Sequence, residues 1–122
     1  MPTVLVIEDN PQNAHLIKTM LEFEGYAVKA VANVTRAWDL LAKELPDVIC
    51  CDLMMPGING YDFLARRDEI QGLEEVPVVA VTGKNLPKQE VERLKASAFL
   101  LKPFGMNQLL SAVNSALSTP NL

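Results

Sequence analysis

Four short apolar runs end on polar side chains of types that can do chemistry. Thr3–Ile7 leads into Glu8-Asp9, Val48–Cys51 into Asp52, Val78–Val81 into Thr82-Gly83, and Ala98–Leu101 into Lys102-Pro103. Taken singly these are ordinary residues: an acid that caps a helix, a threonine in a turn, a solvated lysine. Brought together, three carboxylates beside one lysine repel one another, and one of them takes up a proton unless something offsets the charge. A hard divalent cation with oxygen ligands resolves the conflict. Mg2+ is the usual choice where phosphate is involved, because it keeps several waters and asks for only one or two carboxylates plus substrate oxygens. Glu8, Asp9 and Asp52, with a backbone carbonyl just after Asp52, can supply that set.

The intervals between these residues are long, so only a fold can collect them. Five apolar runs recur: the four above and Ala27–Val31. Most are continuous rather than alternating and several are rich in Val and Ile, which suits strands buried on both faces. Helical patterns lie between them. Asn10-Pro11 reads as an N-cap with proline at the first helical position. Leu16, Ile17, Met20 and Leu21 then form one apolar stripe, and Gly25 stops the helix. A second helix is expected from about Val34 to Glu44, with Ala37, Trp38 and Leu41 inward and Pro46 after it. A third starts near Gly60, carries Phe63, Leu64 and Ile70, and ends before Gly72. A fourth starts at Pro87 and carries Val91, Leu94 and Lys95. The fifth shows Met106, Leu109, Leu110, Val113 and Leu117 at helical spacing. Strands alternating with helices imply βαβ units, hence a doubly wound α/β fold with a five-stranded parallel sheet and five flanking helices. In such a sheet, sites form outside the carboxyl ends of the strands, where the polar residues stand.

A chain of 122 residues fits one domain, expected over 1–118, with 119–122 as a tail or the start of a linker. Apolar residues make up 49% and charged residues 21%, so a core can form without metal or disulfide staples and disorder is not expected. The net charge of −4 argues against direct nucleic-acid binding, because phosphate contacts want Lys and Arg. No apolar run approaches the roughly 18–20 residues of a membrane span, and MPTVLVIEDN lacks the basic start of a secretory signal. Cys50 and Cys51 are neighbours, so on a strand they point to opposite faces and are poorly placed to bond to each other. They read as small buried residues in a reducing, cytoplasmic setting. His15 reads as a surface residue and Trp38 as a core-edge aromatic.

The motifs VLVIEDNPQN, CDLMMPGINGYD, PVVAVTG and FLLKPF, in that order, resemble the receiver domain of two-component response regulators, from Val4 to about Leu117. Any one of them alone is weak; the ordered set is specific. The resemblance implies a flavodoxin-like sheet in strand order 2-1-3-4-5. It implies that Asp52 is the phosphoacceptor, receiving a phosphoryl group from a phosphohistidine on a histidine kinase or histidine phosphotransfer protein. It implies Mg2+ held by Glu8, Asp9, Asp52 and the backbone carbonyl of Met54, the Glu8 contact running through water. Lys102 is then a point charge against the phosphoryl group, and Thr82 a hydroxyl donor that draws its loop inward. Phe99 stands at the family's switch-aromatic position and turns inward as Thr82 vacates space; the plainer alternative is a core phenylalanine. Such a domain catalyses only its own phosphorylation and dephosphorylation, and it signals through a protein-binding surface to an output protein that the sequence does not identify.

Pro56, Gly57 and Gly60 are expected to shape the loop after Asp52, and Lys102-Pro103 resembles the family's cis peptide. One stretch departs from the family pattern. Where a Gly-Ala pair is common before the fifth strand, this chain has Lys95-Ala96-Ser97-Ala98 and is a little short, so an unusual joint is expected there. Two other functions fit the same residues less well. A receiver fold used as a phosphorylation-independent interaction module usually lacks the acids, the Lys or the Thr, and this chain keeps all five. An aspartate-nucleophile phosphatase of the haloacid-dehalogenase type needs a second Asp two residues after the nucleophile, where Met54 stands.

Overall fold

The computed structural model describes residues 2–55 and 60–118. Pro56, Gly57 and the tail 119–122 lie outside the described residues. Five strands, β1 (Thr3–Ile7), β2 (Ala27–Val31), β3 (Val48–Asp52), β4 (Val78–Thr82) and β5 (Ala98–Leu101), form one parallel sheet in the order β2-β1-β3-β4-β5. Five helices connect and flank them: α1 (Pro11–Phe23), α2 (Val34–Leu41), α3 (Gly60–Ala65), α4 (Lys88–Leu94) and α5 (Met106–Ser118). This is the doubly wound, flavodoxin-like arrangement that the alternation and the resemblance imply.

The core lies in two layers, one on each face of the sheet. On one face, Leu5, Ile7, Ile49 and Cys51 pack against Val34 and Ala37 of α2, Phe63 of α3 and Leu94 of α4. On the other, Val4, Val6, Cys50 and Val79 pack against Ile17 and Leu21 of α1 and Leu109 and Val113 of α5. Cys50 and Cys51 thus face opposite layers, both free and buried. Burial pushes the Cys50 thiol up to about 12 and moves Cys51 in the same direction, with the nearby Asp52 charge adding to it. Both behave as apolar fillers.

Double burial holds fully for β3 and β4, and for β1 from Val4 onward. It fails for β2, where Val28 is the buried residue, and for β5, where Leu100 is. These two strands form the edges of the sheet, so each lacks a neighbour on one side and its outer residues meet solvent. On α1 the stripe is narrower than expected: Ile17 and Leu21 are buried, but Leu16 is 48% exposed. The Asn10 carboxamide caps α1 by accepting from the N–H groups of Gln12 (2.9 Å) and Asn13 (3.0 Å), and Gly25 takes φ +97° past its end. Helix α2 stops at Leu41, short of Glu44. The third helical pattern is broken: α3 ends at Ala65 and single 3-10 turns follow at Arg67–Glu69 and Leu73–Glu75. Lys95 is not on the α4 stripe. It caps the helix in the left-handed region (φ 54°, ψ 33°), the unusual joint expected before β5. His15 is exposed. Trp38 is half-buried, its ring 4.9 Å from that of Phe63 and beneath Arg66.

Candidate functional site at the carboxyl ends of the strands

The turn after β1 performs two tasks. The Glu8 N–H bonds to the Val31 carbonyl of β2 at 3.1 Å, which fixes the backbone as it leaves the sheet. The Glu8 carboxylate turns inward, 2% exposed, and its Oε2 accepts from the Asn10 N–H at 3.2 Å. Asn10 is also the α1 cap, so the same turn buries Glu8 and starts the helix. Asp9, beside it, is exposed.

Asp52 ends β3 and is 4% exposed. Its Oδ1 accepts from the Met54 N–H at 3.0 Å, an Asx turn that fixes the plane of the carboxylate. The start of α3 closes over this backbone: a Cβ on Gly60 would lie 2.4 Å from the Asp52 carbonyl oxygen and 2.8 Å from the Leu53 Cα. Only glycine permits that approach. Met54 leaves its side chain 55% exposed.

Lys102 is held by its own N–H on the Thr82 carbonyl at 2.8 Å, and Lys102-Pro103 is cis. Its ammonium donates to Asp52 Oδ2 at 2.9 Å and to Glu8 Oε1 at 3.1 Å, across 50 and 94 residues of sequence. Carboxylate oxygens of Glu8, Asp9 and Asp52 lie within 4.8 Å of one another. The fold therefore brings together four of the sequence candidates: Glu8, Asp9, Asp52 and Lys102. Thr82 is buried at the end of β4, and its hydroxyl is engaged within its own loop, donating to the Lys84 carbonyl at 3.1 Å and accepting from the Lys84 N–H at 3.2 Å. Phe99 is half-buried on β5, packed on the layer that holds Ile7, Phe63 and Leu94.

Charge in the pocket is unevenly borne. Burial raises the Glu8 pKa above the ordinary carboxylate value, and the Asp52 charge adds to the rise; the Asn10 N–H and Lys102 act against it without cancelling it. Burial alone would lower the Lys102 pKa, but its hydrogen bonds to Asp52 and Glu8 outweigh that and raise it. Lys102 is thus a firm cation that occupies the charge-neutralising position between two buried acids. A divalent cation placed among these oxygens meets hard donors only, which fits the demand of Mg2+.

Sequence reasoning did not anticipate Lys102 bridging Glu8 and Asp52 directly. It also missed Arg67, which is 8% exposed and donates to the carbonyls of Lys95 (3.1 Å) and Val76 (3.4 Å). The Asx turn at Asp52 was legible in principle, since an Asp often binds the N–H two residues on. Nothing in the pair Arg66-Arg67 tells which one turns inward.

The response regulator receiver domain model matches residues 4–114. The chain is 32% identical to response regulator Rre1 of Synechocystis over 95% of its length, and spans about half (52%) of that protein. It is 30% identical to protein PilH of Pseudomonas aeruginosa, covering 97% of this chain and 99% of PilH. Among solved structures, the chemotaxis protein CheY4 of Vibrio cholerae superposes with a TM-score of 0.88 at 28% identity, over 95% of this chain and 98% of CheY4. The receiver domain of the sensor histidine kinase PA1611 of Pseudomonas aeruginosa, solved with a magnesium ion in its active-site cleft, gives 0.87 at 26% identity, over 97% and 98% of the two chains. With the family model, strand order and overall superposition in agreement, the chain belongs to the response regulator receiver domain family.

Proposed function

We propose that the chain accepts a phosphoryl group onto Asp52 from a phosphohistidine on a histidine kinase or histidine phosphotransfer protein, with Mg2+, and thereby switches a protein-binding surface. The observation that carries the reading is the Lys102 ammonium set between Asp52 Oδ2 and Glu8 Oε1 in a pocket where Asp9 adds a third carboxylate.

An oxygen of Asp52 attacks phosphorus, an O–P bond forms, and the N–P bond to the donor imidazole breaks. The electron pair stays on the imidazole nitrogen, and the product is an acyl phosphate. The Met54 N–H keeps the Asp52 carboxylate in one orientation during approach. Glu8, Asp9, Asp52 and the Met54 carbonyl are the groups that would hold Mg2+; when bound, the ion neutralises charge on the transferring phosphoryl oxygens. Lys102, on a flexible stem, passes from the Asp52 oxygen to a phosphoryl oxygen. Thr82 exchanges its bond to Lys84 for a phosphoryl oxygen and draws the loop after β4 inward, and Phe99 follows. Catalysis is confined to the chain's own phosphorylation and dephosphorylation. A cytoplasmic setting, without membrane insertion or direct nucleic-acid contact, belongs to the same reading; among the described residues no helix is long and apolar enough to cross a membrane.

The test is intact-mass spectrometry with acetyl phosphate. With Mg2+ the wild-type chain gains one phosphoryl mass; with EDTA, or in Asp52→Ala, it does not. A gain that survives Asp52→Ala, or no gain at all with donor and Mg2+, rejects the assignment.

A further inference from the structure

The helix α4 is held at one end. Leu94, its last residue, is its buried residue. At the other end Pro87 stands in the cap position with no side-chain hydrogen bond, and its carbonyl receives the N–H groups of Glu90 and Val91. Leu86, just ahead of the helix, is half-buried, and the segment from Gly83 to Asn85 is exposed. A cavity of about 530 Å³ lies between α3 and the carboxyl end of α4, lined by Tyr61, Leu64, Arg67, Glu74, Arg93 and Leu94. The helix has only seven residues, too short to persist without tertiary support.

The buried guanidinium of Arg67 stands at the anchored end. It donates to the Lys95 carbonyl, at the residue that turns the chain out of α4 in the left-handed region, and over a longer distance to the Val76 carbonyl ahead of β4. Its Nε is buried with no hydrogen-bond partner among the described residues. Burial lowers its pKa, with the nearby Glu74 charge acting against that, and its hydrogen bonds go to two main-chain carbonyls from separate segments. Those carbonyls belong to the approaches to β4 and β5, whose opposite ends carry Thr82 and Lys102.

We propose that Arg67 is the positioning residue for α4: it pins the carboxyl end of the helix at Lys95 and leaves the amino end, which adjoins the Thr82 loop, free to swing. The part played by phosphorylation in driving that swing rests on the proposed phosphoacceptor function; the pin itself does not. A hydrogen bond from a charged group is among the stronger ones in a protein, and this one is partly shielded from water, so its loss should open the joint locally.

Hydrogen exchange on the full chain tests the pin, comparing wild type with Arg67→Met and Arg67→Lys. Amides 91–97 should exchange at least about ten-fold faster in Arg67→Met, with a smaller change in β1 and β3. Arg67→Lys, which keeps the charge but not the two-carbonyl reach, should show a smaller loss at the same amides and serves if Arg67→Met does not fold. Equal loss of protection in α4 and in the core strands, or unchanged exchange over 91–97, overturns the proposal. A second arm adds acetyl phosphate and Mg2+ to wild type: exchange should change over 84–90 and stay as it was over 93–97. A change that begins at 93–97 overturns the pin. If there is neither a mass gain nor an exchange change, the phosphoacceptor reading fails and the first arm still decides the role of Arg67.

Discussion

Burial draws Glu8 toward its neutral form, and the direction of that shift has a thermodynamic consequence. A carboxyl whose folded pKa lies above its unfolded value of 4.5 binds more protons in the folded state between the two. The stability linked to the proton is present below the unfolded pKa and is lost as pH rises through the folded pKa. In buffer free of divalent ions, Glu8→Gln is therefore expected to unfold at a higher temperature than wild type at neutral pH. The advantage should shrink as the pH falls toward 4.5. Thermal melts across that range check it, and an advantage that grows on acidification contradicts the sign. Gly60 sets a second residue-scale expectation. Its missing Cβ leaves room for the Asp52 carbonyl, so Gly60→Ala must displace either α3 or the carboxyl end of β3. A loss of about 1–3 kcal/mol in urea unfolding is expected, with slower phosphorylation of the variant that does fold.

At the scale of elements, the helices differ in what holds them. Helix α1 is long, begins with a bidentate asparagine cap and buries Ile17 and Leu21. Asn10→Ala removes the partner of two backbone donors and should lower stability by about 1 kcal/mol, read as a shift in the urea midpoint with an unchanged slope. Asn33 caps α2 through the Arg36 N–H alone (2.8 Å), so Asn33→Ala should cost no more than Asn10→Ala does. Helix α4 has no such cap and rests on Leu94 and the Arg67 clamp at its carboxyl end. The interrupted stretch after α3 follows from the same accounting: it folds as short turns whose Leu73 is buried, while Arg67 serves α4 rather than its own turn.

Across the whole molecule, topology explains why the pocket is charged and still folded. The parallel pairing of β1 with the central strand β3 sets Glu8 beside Asp52, and β5 delivers Lys102 between them. A bound divalent cation stabilises the folded state alone, by about 2.7 kcal/mol at a hundredfold excess over its dissociation constant. Mg2+ should therefore raise the melting temperature of the wild-type chain in a concentration-dependent way, and Asp9→Ala should lose most of that rise. An equal rise in the variant would place the ion elsewhere.

The sequence by itself determined the alternation of strands and helices, the α1 cap, the acids, threonine and lysine at the strand ends, and the family. These are set by local pattern: apolar continuity, a capping residue, and polar residues where a run stops. Tertiary structure alone decided which strands are edges, which is why β2 and β5 expose residues that their apolar runs led one to bury. It decided that Leu16 faces water, that Thr82 binds Lys84, and that of two adjacent arginines Arg67 goes inward while Arg66 pairs with Glu69 outside. Above all it decided the Lys102 bridge, since a contact between residues 94 apart carries no local signal. Each of these outcomes depends on what a distant segment brings to the same place, and one chain's spacing does not encode that.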